Sequence, residues 1–239
     1  MSRAAVLAHR WDDASRPPVA AVLRDLVVRA AAPAVLLWAV VTGVGWVVMG
    51  PLGGIPAEQD LAERFAEGRT AALDTVSAVL SGSASTLAIT ALALVTVLAV
   101  AVRTRRLSFA LVPAVAVALE LGVFLTSAVL VDRDRPDVEQ LDHAPPTSSY
   151  PSGHTGAAAA CWVVLALLAQ RVRHRVLRGL LTAACLLVPV LVAWARLYRG
   201  MHHLTDVVAG LAVGATSALL AWGYLRRAGA AGTRRQTRA

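Results

Sequence analysis

Six apolar runs constrain the fold of this chain more than any single motif does. They cover about Ala32 to Met49, Thr86 to Val102, Leu107 to Val131, Thr155 to Gln170, Gly179 to Ala195 and Leu204 to Leu225. Each comes close to or within the ~17 to 25 residues that a helix needs to cross a hydrocarbon core. In lipid every backbone N–H and C=O must find its partner within the structure, which selects helices for runs of this kind. Pro113 and Pro189 fall inside runs, where neighbouring helices can compensate a lost hydrogen bond. The expected architecture is all-α, a six-transmembrane helical bundle. A composition of 57% hydrophobic and 16% charged residues agrees with it and does not describe an ordinary soluble domain.

Between the first two runs the chain turns polar, yet Leu61, Phe65, Leu73, Val76 and Leu80 recur at helical spacing. This predicts one or two amphipathic helices at the membrane surface or against the bundle. Arg69 falls on the same stripe and reads as a snorkelling side chain. The chain thus divides into an N-terminal segment 1–31, a six-span domain 32–225 and a basic tail 226–239 with a disordered composition. No internal repeat is visible.

All basic residues are arginine or histidine, because the sequence contains no lysine. A net charge of +8 could suggest nucleic acid, but the arginines cluster beside apolar runs and are not interleaved with aromatics. Membrane topology explains them better. With six spans, the N-terminus, Arg103 to Arg106, Arg171 to Arg178 and the tail from Arg226 share one side, which the positive-inside rule makes cytoplasmic. The N-terminus lacks a cleavable signal pattern. A multi-pass cell-membrane protein with both termini cytoplasmic is expected. Cys161 and Cys185 lie in apolar runs without metal-ligand spacing and read as small buried hydrophobes.

This topology gathers the unusual polar residues on the opposite, extracytoplasmic face. Asp132-Arg133-Asp134-Arg135-Pro136 follows the third run. Tyr150-Pro151-Ser152-Gly153-His154 opens the fourth, and a helix N-terminus with a glycine presents unpaired N–H groups to an anion. By itself this stretch reads first as an ordinary helix cap. Arg196 to Asp206 leads into the sixth run. On a continuous helix His202 and Asp206, at i and i+4, share a face, so the carboxylate could accept the imidazole N–H and leave the other nitrogen as base or nucleophile. An ion pair at a helix start is the simpler alternative. His203 points elsewhere and reads as a surface histidine. Arginines, a helix N-terminus, two histidines and a carboxylate are the inventory for phosphoryl transfer without a metal. Metal-ligand spacing is absent and the arginines would repel a cation. The acid Glu120, within the third run, reads as paired inside the bundle with no catalytic role, and alone it does not outline a transport pathway.

These stretches resemble the type 2 phosphatidic acid phosphatase family, the lipid phosphatase branch of the superfamily that includes bacterial acid phosphatases and vanadium haloperoxidases. Its pattern is K-x6-R-P, P-S-G-H and S-R-x5-H-x3-D. The matches are Arg135-Pro136, Pro151 to His154, and Arg196 with His202 and Asp206. The family lysine falls at Ala128 and the serine before the arginine at Ala195.

The resemblance implies that His202 forms a phosphohistidine, Asp206 orients it, and His154 protonates the leaving group and later activates water. Arg135, Arg196, Ser152 and the Gly153 backbone would hold the phosphoryl oxygens. Arg133 is a candidate for the charge missing at Ala128. It further implies a metal- and cofactor-independent phosphatase taking a phosphatidate-like lipid or an isoprenoid diphosphate from the bilayer, with no nucleic-acid partner. A lipid-linked phosphotransferase using the same histidine, and an inactive phospholipid-binding protein, remain alternatives.

Overall fold

Apolar sequence becomes helix wherever the runs predict it. The structure is a computed structural model that describes residues 18–144 and 147–224, and no strand occurs among them. The tail assigned to 226–239 lies outside the described residues. Helix α1 (Val19–Leu26) passes through one π turn (Val27–Ala31) into α2 (Ala32–Met49), so the first apolar helix is 31 residues long. It stops in the Gly-rich turn after Gly50, where Gly54 takes a φ of 89° that a side chain would oppose. Helices α3 (Pro56–Glu67) and α4 (Ala71–Ser83) follow, then α5 (Thr86–Thr104).

The third run is not one helix. Short α6 (Leu107–Ala110) ends at Leu111, and α7 (Val112–Val131) begins there with Pro113 in its first turn, where no backbone N–H is needed. Helices α8 (Gly153–Ala169), α9 (Arg175–Tyr198) and α10 (Leu204–Gly223) complete the described chain. Pro189 does lie within α9. Five helices are long and apolar enough to cross a membrane; the sixth candidate, α8, is apolar but shorter. The protein is therefore a multi-pass membrane protein.

Small residues let the centre close. Helix α8 packs against α9 and α10, and α10 against α7. A methyl group on Gly214 would collide with the Gly156 carbonyl, and one on Gly210 would lie 2.5 Å from the Ser152 carbonyl. Bare glycine at these positions brings the two backbones together, as in other membrane helix pairs. The start of α8 is thereby held against α10.

The α3–α4 segment is helical, with Leu61, Phe65 and Leu80 of its apolar stripe half-buried. Leu73 and Val76 are exposed, whereas Ser77, Ser81 and Glu58 are buried. Arginines at the end of α9 meet the two serines: Arg199, its C-cap, donates to Ser77 Oγ and Arg196 to Ser81 Oγ, so the polar side of α4 turns inward. Arg69 does not snorkel. It donates to the carbonyls of Glu139 at 2.7 Å and Tyr198 at 3.4 Å, tying the α3–α4 turn to the loop and to α9.

Candidate active site

At one end of the bundle, the loop between α7 and α8 is pinned by Tyr150, whose hydroxyl donates to the Val41 carbonyl at 2.8 Å. Its neighbour Ser149 carries the central interaction. The Ser149 carbonyl lies 2.8 Å from His202 Nδ1, and a carbonyl can only accept, so Nδ1 bears the proton. Nε2 keeps the lone pair. Burial and the charge of Arg196 push the basicity of His202 well below the usual histidine range, against the opposing pull of Asp206. This ring is held neutral.

Asp206 does not accept the imidazole proton directly. Helix α10 starts at Leu204, so His202 precedes it and the expected helical i,i+4 geometry does not form. The gap from Nδ1 to Asp206 Oδ2 is 3.8 Å. Oδ2 instead accepts from Ser149 Oγ at 2.5 Å and from the His203 N–H at 2.7 Å. The carboxylate therefore fixes the segment that carries the accepting carbonyl and caps its own helix. His203 is not a surface histidine, since its side chain is only 12% exposed.

Arg133 stands behind Asp206. It donates to Asp206 Oδ1 at 2.7 Å, to Thr205 Oγ1 at 2.6 Å and to Glu58 Oε2 at 2.7 Å, and it is buried. Burial alone would weaken its hold on the proton, but Asp206 and Glu58 outweigh burial and raise its pKa. Glu58 Oε1 accepts the Thr205 N–H at 2.5 Å, satisfying one of the unpaired donors at the start of α10. A residue of α3 thus caps the last helix from outside.

Arg135 and Arg196 are arranged differently. Arg135 donates to the carbonyls of Met201 at 2.7 Å and Thr147 at 3.3 Å, neutral partners that leave its charge uncompensated at hydrogen-bond range. Burial lowers its pKa, with Asp206 opposing. Arg196 donates through Nη1 to Asp142 at 2.6 Å and to Ser81 at 2.7 Å, while its buried Nε has no partner among the described residues. Asp142 also pairs with Arg199 at 2.8 Å. Partial burial works against the Asp142 charge, but the two arginines outweigh it and hold the carboxyl below its usual range.

A cavity of about 290 Å³ joins these groups: His154, His202, Arg135, Arg196 and Gly153 line it. Ser152 and Arg133 are not among its lining residues. Ser152 Oγ shares a hydrogen bond of 3.0 Å with Thr155, and its N–H donates to the Asp206 carbonyl. The cavity continues along Ile89, Val117, Leu121 and Phe124 between α5 and α7, where Thr90 and Leu121 are exposed on the outside of the bundle. Sequence reasoning assigned no role to Ser149, Asp142 or Glu58.

Such a molecule is a multi-pass helical membrane protein whose two-histidine, arginine-lined cavity lies by the ends of its helices and is suited to an anion. Residues 107–230, more than half the chain, match the PAP2 superfamily, and the chain belongs to that superfamily. "Putative undecaprenyl-diphosphatase YbjG" of Escherichia coli (strain K12) is 31% identical over 122 residues, 46% of this chain and 54% of that protein. The chain thus spans about half the length of this curated relative. Among solved structures, a transmembrane PAP2 type phosphatidylglycerolphosphate phosphatase from Bacillus subtilis superposes with a TM-score of 0.67 at 19% identity, covering 81% of this chain and 94% of that one. LpxE of Aquifex aeolicus gives 0.53 at 20% identity, covering 68% and 92%. At these identities the two structures establish the fold.

Proposed function

We propose that the protein is a membrane lipid phosphatase that cleaves a lipid phosphate monoester or diphosphate through a phosphohistidine on His202. The observation that carries this reading is the state of His202. Its Nδ1 proton is committed to a carbonyl, its Nε2 lone pair is free, and its ring lines one cavity with His154, Arg135 and Arg196.

In the first step Nε2 attacks phosphorus, the P–N bond forms, and the bond to the leaving oxygen breaks as that oxygen takes a proton from His154. In the second, His154 removes a proton from water, which attacks phosphorus and breaks the P–N bond, releasing phosphate and restoring both histidines. Arg135 and Arg196 with the Gly153 N–H hold the phosphoryl oxygens as charge develops. Arg133 and Glu58 act at one remove by positioning Asp206 and the start of α10. The exposed apolar extension of the cavity supports entry of a lipid from the bilayer, and arginine placement supports an extracytoplasmic site with both termini cytoplasmic.

The test is rapid quenching into alkaline detergent with a 32P-labelled lipid phosphate, together with phosphate release. Wild-type protein should release phosphate and carry an acid-labile, base-stable label, and His202→Ala should lose both. Label persisting in His202→Ala would overturn the nucleophile assignment. Products formed only when an acceptor alcohol is added would make the enzyme a phosphotransferase instead.

A further inference from the structure

The cavity contains one ionisable group for which the proposed chemistry has no use. Glu120 projects from the middle of α7, is 2% exposed, and has no hydrogen-bond or ion-pair partner among the described residues. Its carboxyl lines the cavity and rests against Gly156, one turn into α8 from Gly153; a methyl group on Gly156 would collide with the Glu120 oxygen. Val117 and Leu121 of α7 and Ile89 of α5 line the cavity too. Glu120 thus lies where the anion-binding end of the cavity gives way to its apolar end.

A carboxylate left unpaired at this depth would be strongly destabilising, whereas the neutral acid has a single O–H that still needs an acceptor. No hydrogen bond to this carboxyl is made among the described residues. We infer that Glu120, as a neutral carboxylic acid, forms a specificity subsite that donates a hydrogen bond to an uncharged acceptor oxygen on the lipid a few bonds from phosphorus, such as the ester carbonyl of a glycerolipid. A second phosphate there would bring anionic charge to an acid with no cation beside it. A purely hydrocarbon chain would leave the O–H unsatisfied. The subsite therefore favours an acylglycerol phosphate over a polyprenyl diphosphate. This inference rests on the phosphatase reading and narrows its substrate class.

Matched lipids test it: dioctanoylglycerol phosphate, its dioctyl ether analogue without ester carbonyls, and farnesyl diphosphate, each in the same detergent micelles. Wild type should prefer the diester to the diether by about tenfold in kcat/KM, the range of one buried neutral hydrogen bond. Glu120→Leu should erase that preference by losing activity on the diester while keeping its rates on the diether and farnesyl diphosphate. Glu120→Gln, whose amide can still donate, should retain part of it. An unchanged diester-to-diether ratio in Glu120→Leu, or an equal loss on all three lipids, overturns the subsite and leaves the phosphatase standing. Absence of phosphate release from every lipid by wild type overturns the phosphatase reading. In that event, thermal shifts of His202→Ala protein by the diester and the diether still decide the subsite: a larger shift with the diester that vanishes with Glu120→Leu added supports it, and equal shifts refute it.

Discussion

A backbone carbonyl, and not a carboxylate, sets the protonation of His202. Because Ser149 holds Nδ1–H, and burial with the Arg196 charge resists a second proton, the ring stays neutral through and below the ordinary histidine range. The folded pKa is depressed from 6.5, so stability is fully present above 6.5 and is lost as acid protonates the unfolded chain first. The acid limb of kcat/KM should accordingly fall below pH 6.5; a limb at or above that value in a pH–rate profile would show that His202 is not held neutral. Arg135 should matter most among the cations, because its partners are carbonyls. Arg135→Ala is expected to lower kcat by about 10²- to 10³-fold, measured by phosphate release, as loss of an oxyanion donor does elsewhere. Arg135→Lys should recover only part, since one ammonium cannot replace the fork of a guanidinium.

At the level of elements, the unexpected contact is between α3 and the start of α10. Glu58 joins them through Arg133 and the Thr205 N–H, all at buried positions or beside them. Removing one partner of such a buried pair costs about 3 to 5 kcal/mol. Glu58→Ala should therefore destabilise the protein strongly in a detergent melt. Glu58→Gln, which keeps the shape, should lower kcat about tenfold with KM little changed, given that hydrogen bonds to charged groups contribute about 1.5 to 3 kcal/mol. A double-mutant cycle with Arg133→Met should be clearly non-additive; additive effects would mean that Glu58 and Arg133 act separately.

These contacts also mark what sequence could reveal. The motif residues His154, Arg135, Arg196 and His202 could be read because their side chains sit at recognisable spacings, and they do meet in one cavity. Ser149 acts through a main-chain oxygen, which no side-chain pattern reports. Glu58 lies 147 residues from Thr205, and its partner exists only once the loops fold. The inward serine side of α4 is hidden for a related reason: it meets buried arginines at the end of α9, partners that periodicity alone cannot anticipate.

For the whole molecule, the proposed orientation places Gln140 and Arg173 on opposite sides of the membrane. Both are exposed and both native cysteines are buried, so single cysteines introduced there can be read against a low background. An impermeant maleimide applied to intact cells should label Gln140→Cys and spare Arg173→Cys; the reverse pattern would invert the topology. Packing at the centre makes a separate prediction. Gly214→Val should force α8 and α10 apart and lower the melting temperature in detergent, whereas Gly223→Val, where an added carbon meets nothing within 4 Å, should leave it nearly unchanged.

The cap that Glu58 provides from α3 has a consequence for biosynthesis. Glu58 leaves the ribosome 147 residues before Thr205, and His202, Thr205 and Asp206 arrive only with the α9–α10 hairpin. Until that hairpin inserts, no nascent intermediate contains a complete reaction centre, and Arg133 has neither Asp206 nor Thr205 to hold it. Under the proposed mechanism the reaction centre is therefore complete only once the α9–α10 hairpin has joined the bundle.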